Sequence, residues 1–179
     1  SSRRRSDGRP VRVLVAGAHG QVGQHVTEQL SDSEHETFGM VRDETQVDDV
    51  EALGAEAVVA DLTADVTHAV QGCDAVVFAA GSGGEDVWGV DRDGAITLMG
   101  AAEAEGAERF VMLSAMNADA PEDSPEELRE YLEAKAEADE HLRESPLDHT
   151  VVRPGRLTNE PGTGEVAAGS DLDRGDAEI

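Results

Sequence analysis

Short apolar runs alternate along the chain with longer stretches in which apolar residues recur every three or four positions. The run over 11–16 is β-branched with one charge, Arg12, and the spacing of Val22, Val26 and Leu30 predicts a helix over 21–30. The same alternation predicts strands over 37–41, 57–60, 75–80, 109–113 and 150–153, with helices over 46–53, 64–70, 87–105 and 125–144. Strands that are apolar along nearly their whole length are buried on both faces, as in a parallel sheet whose crossover helices cover either side. The expected class is therefore α/β, a doubly wound parallel sheet in a single domain over 11–179, preceded by a disordered arm over 1–10. From Pro154 onward the pattern dissolves: 158–164 is turn-rich, 171–176 is acidic, and no final helix covers the last strand. That side of the sheet is left to residues beyond Ile179 or to a partner, and its uncapped edge is compatible with a homodimer.

Between the first strand and the first helix stands Gly17-Ala18-His19-Gly20-Gln21-Val22-Gly23, spaced G-x-x-G-x-x-G. Gly17 permits a tight turn, Gly20 lets the backbone approach a pyrophosphate, and Gly23 allows close helix–strand packing. The free N–H groups and dipole at the start of the helix favour phosphate. Set between a strand and a helix, the motif points to a Rossmann-type dinucleotide site rather than a plain structural turn. The second strand ends Val41-Arg42-Asp43. An acid at that point would bond both ribose hydroxyls and favour NAD. Arg42 instead offers a guanidinium to a 2′-phosphate and a flat surface to adenine, which favours NADP over NAD. Asp43 next door argues the other way, and a solvated surface arginine is the alternative for Arg42.

Charge changes the picture of the surroundings. Thirty-nine Asp and Glu against fourteen Lys and Arg give a net charge of -25. Such a surface repels phosphate backbones and anionic lipid, so neither nucleic acid nor membrane is an expected partner. No run approaches the roughly 18 apolar residues of a membrane span, and Arg3-Arg4-Arg5 leads into Ser6-Asp7-Gly8 rather than the apolar core of a signal peptide. High net charge also marks disordered chains, but an apolar content of 39% with clear strands fits a folded halophilic protein, its carboxylates keeping it soluble in concentrated salt. The lone Cys73 rules out an intrachain disulfide and fits the cytoplasm. The histidines have no metal-ligand spacing, so no metal is expected.

Lys135 is the only lysine. The segment Ser124-Pro125-Glu126-Glu127 predicts a helix start with Ser as N-cap, Pro at the first helical position and Glu closing a capping box. On the helix that follows, Leu128, Tyr131, Lys135, Ala138 and Leu142 share one face, opposite Glu126, Glu130, Glu133, Glu137, Glu140 and Glu144. An ammonium one turn from a phenol favours the tyrosinate, so Tyr131 is expected to titrate below its ordinary range and to serve in proton transfer. A core tyrosine beside a snorkelling lysine is the structural alternative.

Taken in order, the glycine loop, Val41-Arg42, Asp61-Leu62, Tyr131-x-x-x-Lys135 and Val152-Arg153-Pro154-Gly155 resemble the short-chain dehydrogenase/reductase superfamily. The resemblance is strongest to its atypical branch of NAD(P)H-binding, NmrA-like and epimerase-like proteins, and runs from residue 11 to about 165. It implies that Asp61 and Leu62 flank the adenine, that Ala79, Ala80 and Gly81 line the middle of the cofactor, and that Pro154 and Gly155 also meet it. It further implies that Lys135 holds the nicotinamide ribose, that Tyr131 is the acid/base, and that a hydroxyl residue near the end of the fifth strand binds a substrate carbonyl. That position falls on Ser114 or on Ala115. Two functions follow. One is an NAD(P)-dependent reductase, dehydrogenase or epimerase moving hydride to or from a small carbonyl or alcohol substrate, with Tyr131, Lys135 and Ser114 as its catalytic set. The other is a non-catalytic NAD(P)-binding redox sensor or assembly factor. The intact Tyr–Lys pair favours the enzyme.

Overall fold

The computed structural model describes residues 10–169; the rest of the N-terminal arm and the acidic run over 171–176 lie outside them. Six strands form one parallel sheet: β1 (Arg12–Ala16), β2 (Glu36–Val41), β3 (Glu56–Val59), β4 (Ala75–Phe78), β5 (Arg109–Leu113) and β6 (Asp148–Val152). Their spatial order is β3-β2-β1-β4-β5-β6, every neighbouring pair parallel. The chain winds outward from β1 in one direction, crosses back, and winds outward from β4 in the other. The expected doubly wound Rossmann-type sheet is thus the observed one, and its topological switch point lies between β1 and β4, where open α/β sheets bind ligands at the carboxyl ends of their strands.

The helices α1 (Gln21–Ser31), α2 (Val47–Ala52), α3 (Thr67–Val70), α4 (Asp93–Glu105) and α5 (Glu126–Glu144) complete the layers. The two faces of the sheet bury separate clusters. On one, Leu14, Val76, Phe78, Phe110 and Met112 pack with Leu98, Met99 and Leu142. On the other, Val15 and Val41 pack with Val50 of α2. This is why the central strands read as unbroken apolar runs, whereas β6, at the sheet edge, is mostly exposed.

The helix expected over 64–70 is only Thr67–Val70, the strands expected over 75–80 and 150–153 lie over 75–78 and 148–152, and three helices differ in their first turn. The helix expected over 87–105 is divided into a π-helical turn over 87–92 and α4, because the Asp86 carboxylate accepts from the Gly89 N–H at 2.9 Å and fixes a wider first turn. The helix expected over 46–53 is a 3₁₀ turn over 44–46 followed by α2. At the start of α5, Pro125 is extended with ψ 145 and takes the N-cap place, so the helix opens one residue later than expected. The expected capping box therefore does not form: the Ser124 hydroxyl is buried without a partner, and Arg129 Nε donates to the Ser124 carbonyl at 3.2 Å.

Candidate functional site

The turn from β1 into α1 is built on two glycines the fold cannot do without. Gly17 sits at φ 79, and a Cβ there would stand 2.5 Å from the Ala80 Cα. A Cβ on Gly23 would stand 1.9 Å from the Gly17 carbonyl oxygen. Gly20 is different. It has an ordinary φ of -67, and an added Cβ would meet only the Gly17 oxygen, at 3.4 Å. The chain itself tolerates a side chain here, so the bare backbone leaves room for something outside the chain. The N-terminus of α1 that follows has no side-chain cap and no acid in its first turn, in a protein with thirty-nine acids. Uncapped N–H groups beside an open glycine are the anion cradle that a dinucleotide pyrophosphate needs.

Two adjoining cavities run along the carboxyl edge of the sheet. The first, of about 500 Å³, is lined by Gly17, His19, Gly20, Arg42, Asp61 and Leu62 among others. The second, of about 440 Å³, is lined by Ser114, Tyr131, Lys135 and Pro154, with Asp91 beside them. Ala79, Ala80 and Gly81 line both and form the waist of one continuous trough. Of the remaining expected residues, Gln21 and Val22 belong to the first turn of α1 and Gly23 to its packing, while Gly155 lines neither cavity.

At the first cavity the acids beside Arg42 are already engaged. Asp43 accepts from the Thr45 N–H at 2.9 Å and caps the 3₁₀ turn, with Gln46 returning a bond to the Asp43 N–H at 3.4 Å. That hydrogen bond, aided by the charge of Arg42, holds the Asp43 carboxyl below its usual range. Asp61 is held down in the same way by the Thr63 hydroxyl at 2.7 Å and N–H at 2.8 Å. Arg42 itself is exposed and makes no ion pair with any described residue. His19 is anchored by Asp49, with Nε2 to Oδ2 at 2.9 Å, and by Gln46 Nε2 at 3.3 Å from Nδ1.

At the second cavity α5 supplies Tyr131 and Lys135. The segment over 87–92 is clamped against this helix by Trp88 Nε1, which donates to Glu130 Oε1 at 2.7 Å, and by Arg92, which reaches Glu137 at 3.0 Å. The clamp brings Asp91, only 2% exposed, to the cavity that holds Tyr131 and Lys135. Asp91 Oδ2 accepts from the Ser82 hydroxyl at 2.9 Å. Lys135 is 1% exposed; its Nζ meets the Met112 sulfur at 3.6 Å and lies 5.3 Å from the Phe78 ring centroid. Burial pushes the Lys135 ammonium below its ordinary titration range, against the opposing charges of Asp139 and Asp91.

Two expectations are corrected here. The Tyr131 phenol is pushed up rather than down, first by burial and then by the charges of Asp91 and Asp139. Leu128 is half exposed at the cavity mouth instead of lying in the core; the buried stripe of α5 is Leu132, Ala134, Lys135, Ala138, Asp139 and Leu142.

Ser114, not Ala115, faces the second cavity. Its hydroxyl donates to Asp139 Oδ2 at 2.6 Å, and Arg153 Nη2 approaches the same oxygen at 3.3 Å. Asp91 and Asp139 were not expected at the site. Asp139 had a readable signal, standing one helical turn after Lys135, whereas nothing in the spacing around Asp91 distinguishes it. Among the described residues no cluster of three or more His, Cys, Asp or Glu could hold a metal ion.

A doubly wound sheet with an open glycine turn and a trough across its switch point defines a Rossmann-type nucleotide-binding protein. Residues 17–179 match the NAD(P)H-binding family, and the chain belongs to it. It is 44% identical over 173 residues to the uncharacterized sugar epimerase YhfK of Bacillus subtilis, covering 92% of this chain and 81% of that one. To the UPF0659 protein YMR090W of Saccharomyces cerevisiae it is 38% identical, over 87% of this chain and 74% of the relative. The structure of a putative NAD-dependent epimerase/dehydratase from Bacillus halodurans superposes with a TM-score of 0.86 at 42% identity, covering 90% of this chain and 79% of that one.

Proposed function

We propose that this protein is an NAD(P)-dependent oxidoreductase or epimerase that acts on a small carbonyl or alcohol compound and prefers NADP. The observation that carries the reading is the single trough with a phosphate cradle at one end and Tyr131, Lys135 and Ser114 at the other. The backbone of Gly20 and the first N–H groups of α1 receive the pyrophosphate. Arg42, with its neighbouring acids committed to backbone turns, is free to pair with a 2′-phosphate. Asp61 and Leu62 border the adenine, and the small residues Ala79, Ala80 and Gly81 leave the waist open. Lys135 holds the nicotinamide ribose hydroxyls. When bound, the nicotinamide ring supplies or accepts the hydride. Tyr131 would hold a proton at its phenol oxygen in this cavity, and its raised pKa keeps that proton in place at neutral pH, which suits donation to a carbonyl oxygen. The lone buried thiol fits a cytoplasmic setting.

The test is NADPH oxidation in molar salt against quinones, aldehydes and flavins, with Tyr131→Phe as the control. Turnover that Tyr131→Phe abolishes supports the reading. NADPH binding without turnover, unchanged in Tyr131→Phe, supports the second one, a redox sensor or assembly factor. One observation favours that second reading: the Ser114 hydroxyl is already given to Asp139, so a carbonyl would find Tyr131 as its donor there and not Ser114.

A further inference from the structure

Asp139 stands one turn beyond Lys135 on the buried stripe of α5 and is fully shielded from solvent. Its Oδ2 takes two donors, the Ser114 hydroxyl at 2.6 Å and the Arg153 guanidinium at 3.3 Å, while its Oδ1 is buried with no partner. Arg153 Nε is also buried and unpartnered. A carboxylate serving only to tie β5, α5 and the end of β6 together would be expected to close both oxygens, because an unpaired buried acceptor weakens the fold. Its neighbour Lys135 has the complementary shortfall: a buried ammonium whose nearest contacts are a thioether and an aromatic ring, with no salt bridge among the described residues.

We propose that Asp139 is a positioning residue of this site, holding the Ser114 hydroxyl with its hydrogen turned away from the cavity and providing the counter-charge for the buried Lys135. The proposal rests on the reading of Tyr131 and Lys135 as the working pair. Ser114 has a single hydroxyl hydrogen. A bond to a carboxylate is roughly twice as strong as one to a neutral carbonyl, and turning away would leave Asp139 with Arg153 alone. The hydrogen therefore stays on Asp139, and Ser114 Oγ meets the cavity as an acceptor. It receives a hydroxyl from the ligand, and Tyr131 keeps its one hydrogen for a carbonyl. The charged and titratable groups around Lys135 are Asp139 and Tyr131 on its own helix, Asp91 on the π-helical turn, and Arg153 behind Asp139.

Because Lys135 is the only lysine, protein labelled with ¹³C-lysine gives one Cε signal whose shift against pH reports that ammonium directly. In folded Asp139→Asn the midpoint should fall by about one unit or more, roughly a tenfold loss of proton affinity. In Arg153→Gln, which leaves Asp139 uncompensated, it should rise, and in Ser114→Ala it should stay where it is. An unchanged midpoint in folded Asp139→Asn overturns the proposal; if that variant does not fold, an unchanged midpoint in Arg153→Gln overturns it. The link to Ser114 is read in NADPH-dependent reduction of 9,10-phenanthrenequinone. The double variant Ser114→Ala/Asp139→Asn should lose no more kcat than Asp139→Asn alone, and multiplied losses overturn that link. Absence of quinone turnover in the wild type counts against the enzyme reading alone, because the lysine titration still decides the role of Asp139.

Discussion

The Gly23 backbone packs so tightly on the Gly17 carbonyl that a Cβ at Gly23 would stand 1.9 Å from that oxygen, while a Cβ at Gly20 would find 3.4 Å. Two glycines of the motif are therefore demanded by the fold, while Gly20 is not, which leaves it to the ligand in the proposed function. Gly23→Ala and Gly17→Ala should destabilise the protein by about 2–3 kcal/mol or prevent folding, because the obstructing atoms are backbone. Gly20→Ala should fold with its melting temperature within a few degrees of wild type, yet lose about tenfold or more in NADPH affinity, measured by fluorescence titration. Equal loss of stability in all three variants would remove the argument that Gly20 is kept open for a ligand.

In the proposed function Arg42 sets the choice between the two cofactors. Its neighbours Asp43 and Asp61 spend their carboxylates on Thr45 and Thr63, so neither competes for the guanidinium within ion-pair distance. Replacing Arg42 with Gln should weaken NADPH about 10- to 100-fold, the worth of one charge-assisted phosphate contact, and leave NADH within about twofold. Isothermal titration with both cofactors reads this difference directly. Asp43→Ala should unsettle the 3₁₀ turn without changing the ratio of the two affinities.

The surface charge predicts that stability depends on salt. At a net charge of -25 the folded chain repels itself, and the repulsion falls as the screening length shrinks from about 10 Å at 0.1 M salt to about 3 Å at 1 M. The melting temperature should rise by about 10 °C or more between those concentrations. Potassium chloride should act almost as well as sodium chloride, since screening depends on ionic strength. A melting temperature independent of salt would remove the argument for a halophilic surface.

Tyr131 is the only tyrosine, so absorbance near 295 nm titrates it alone. Burial and the charges of Asp91 and Asp139 place its midpoint above the ordinary value of about 10. A phenol whose folded pKa is raised contributes stability that is fully present below the unfolded value and is lost as pH rises through the folded one. The decline therefore belongs to strongly alkaline pH, and Tyr131→Phe should abolish that part of it. Asp91→Asn should lower the midpoint; an unmoved midpoint would mean that Asp91 does not act on the phenol.

What was legible in the sequence divides along physical lines. Strands β1, β2 and β4 read clearly because both faces of the central sheet are buried, and the glycine loop read clearly because its steric demands are local. That Arg42, Tyr131 and Lys135 line the cavities was legible for the same reason: each sits at a fixed offset from an element the pattern reveals. The direction of the Tyr131 shift was not legible, because it depends on Asp91, brought in from a π-helical turn by Trp88 and Glu130, forty-two positions apart. Nor was the failed capping box at Ser124, where Pro125 takes an extended ψ that the preceding turn selects. Asp139 lay within reach, since an acid four residues after a buried lysine shares its face. The expected wheel placed Ala138 and Leu142 on the stripe and passed over Asp139 between them.

Lys135 tests whether the site gives up stability for function. Its ammonium is buried beside Met112 and Phe78, and burial depresses its titration. A lysine whose folded pKa is lowered contributes stability that is fully present above its unfolded value, where it is neutral, and lost as pH falls through the folded value. Wherever the ammonium stays protonated, its burial therefore costs stability, and the charge of Asp139 offsets part of that cost. Lys135→Met keeps the length and apolar stem but removes both the buried ammonium and its attraction to Asp139, and urea melts read which of the two is larger. The difference from wild type should shrink as pH rises past the wild-type lysine midpoint, because the wild type then becomes neutral as well. The same variant should bind NADPH more weakly and lose turnover by about 100-fold or more. Stability that falls in Lys135→Met would mean that the counter-charge of Asp139 outweighs the cost of burial, and stability that rises with turnover intact would remove the lysine from the working pair.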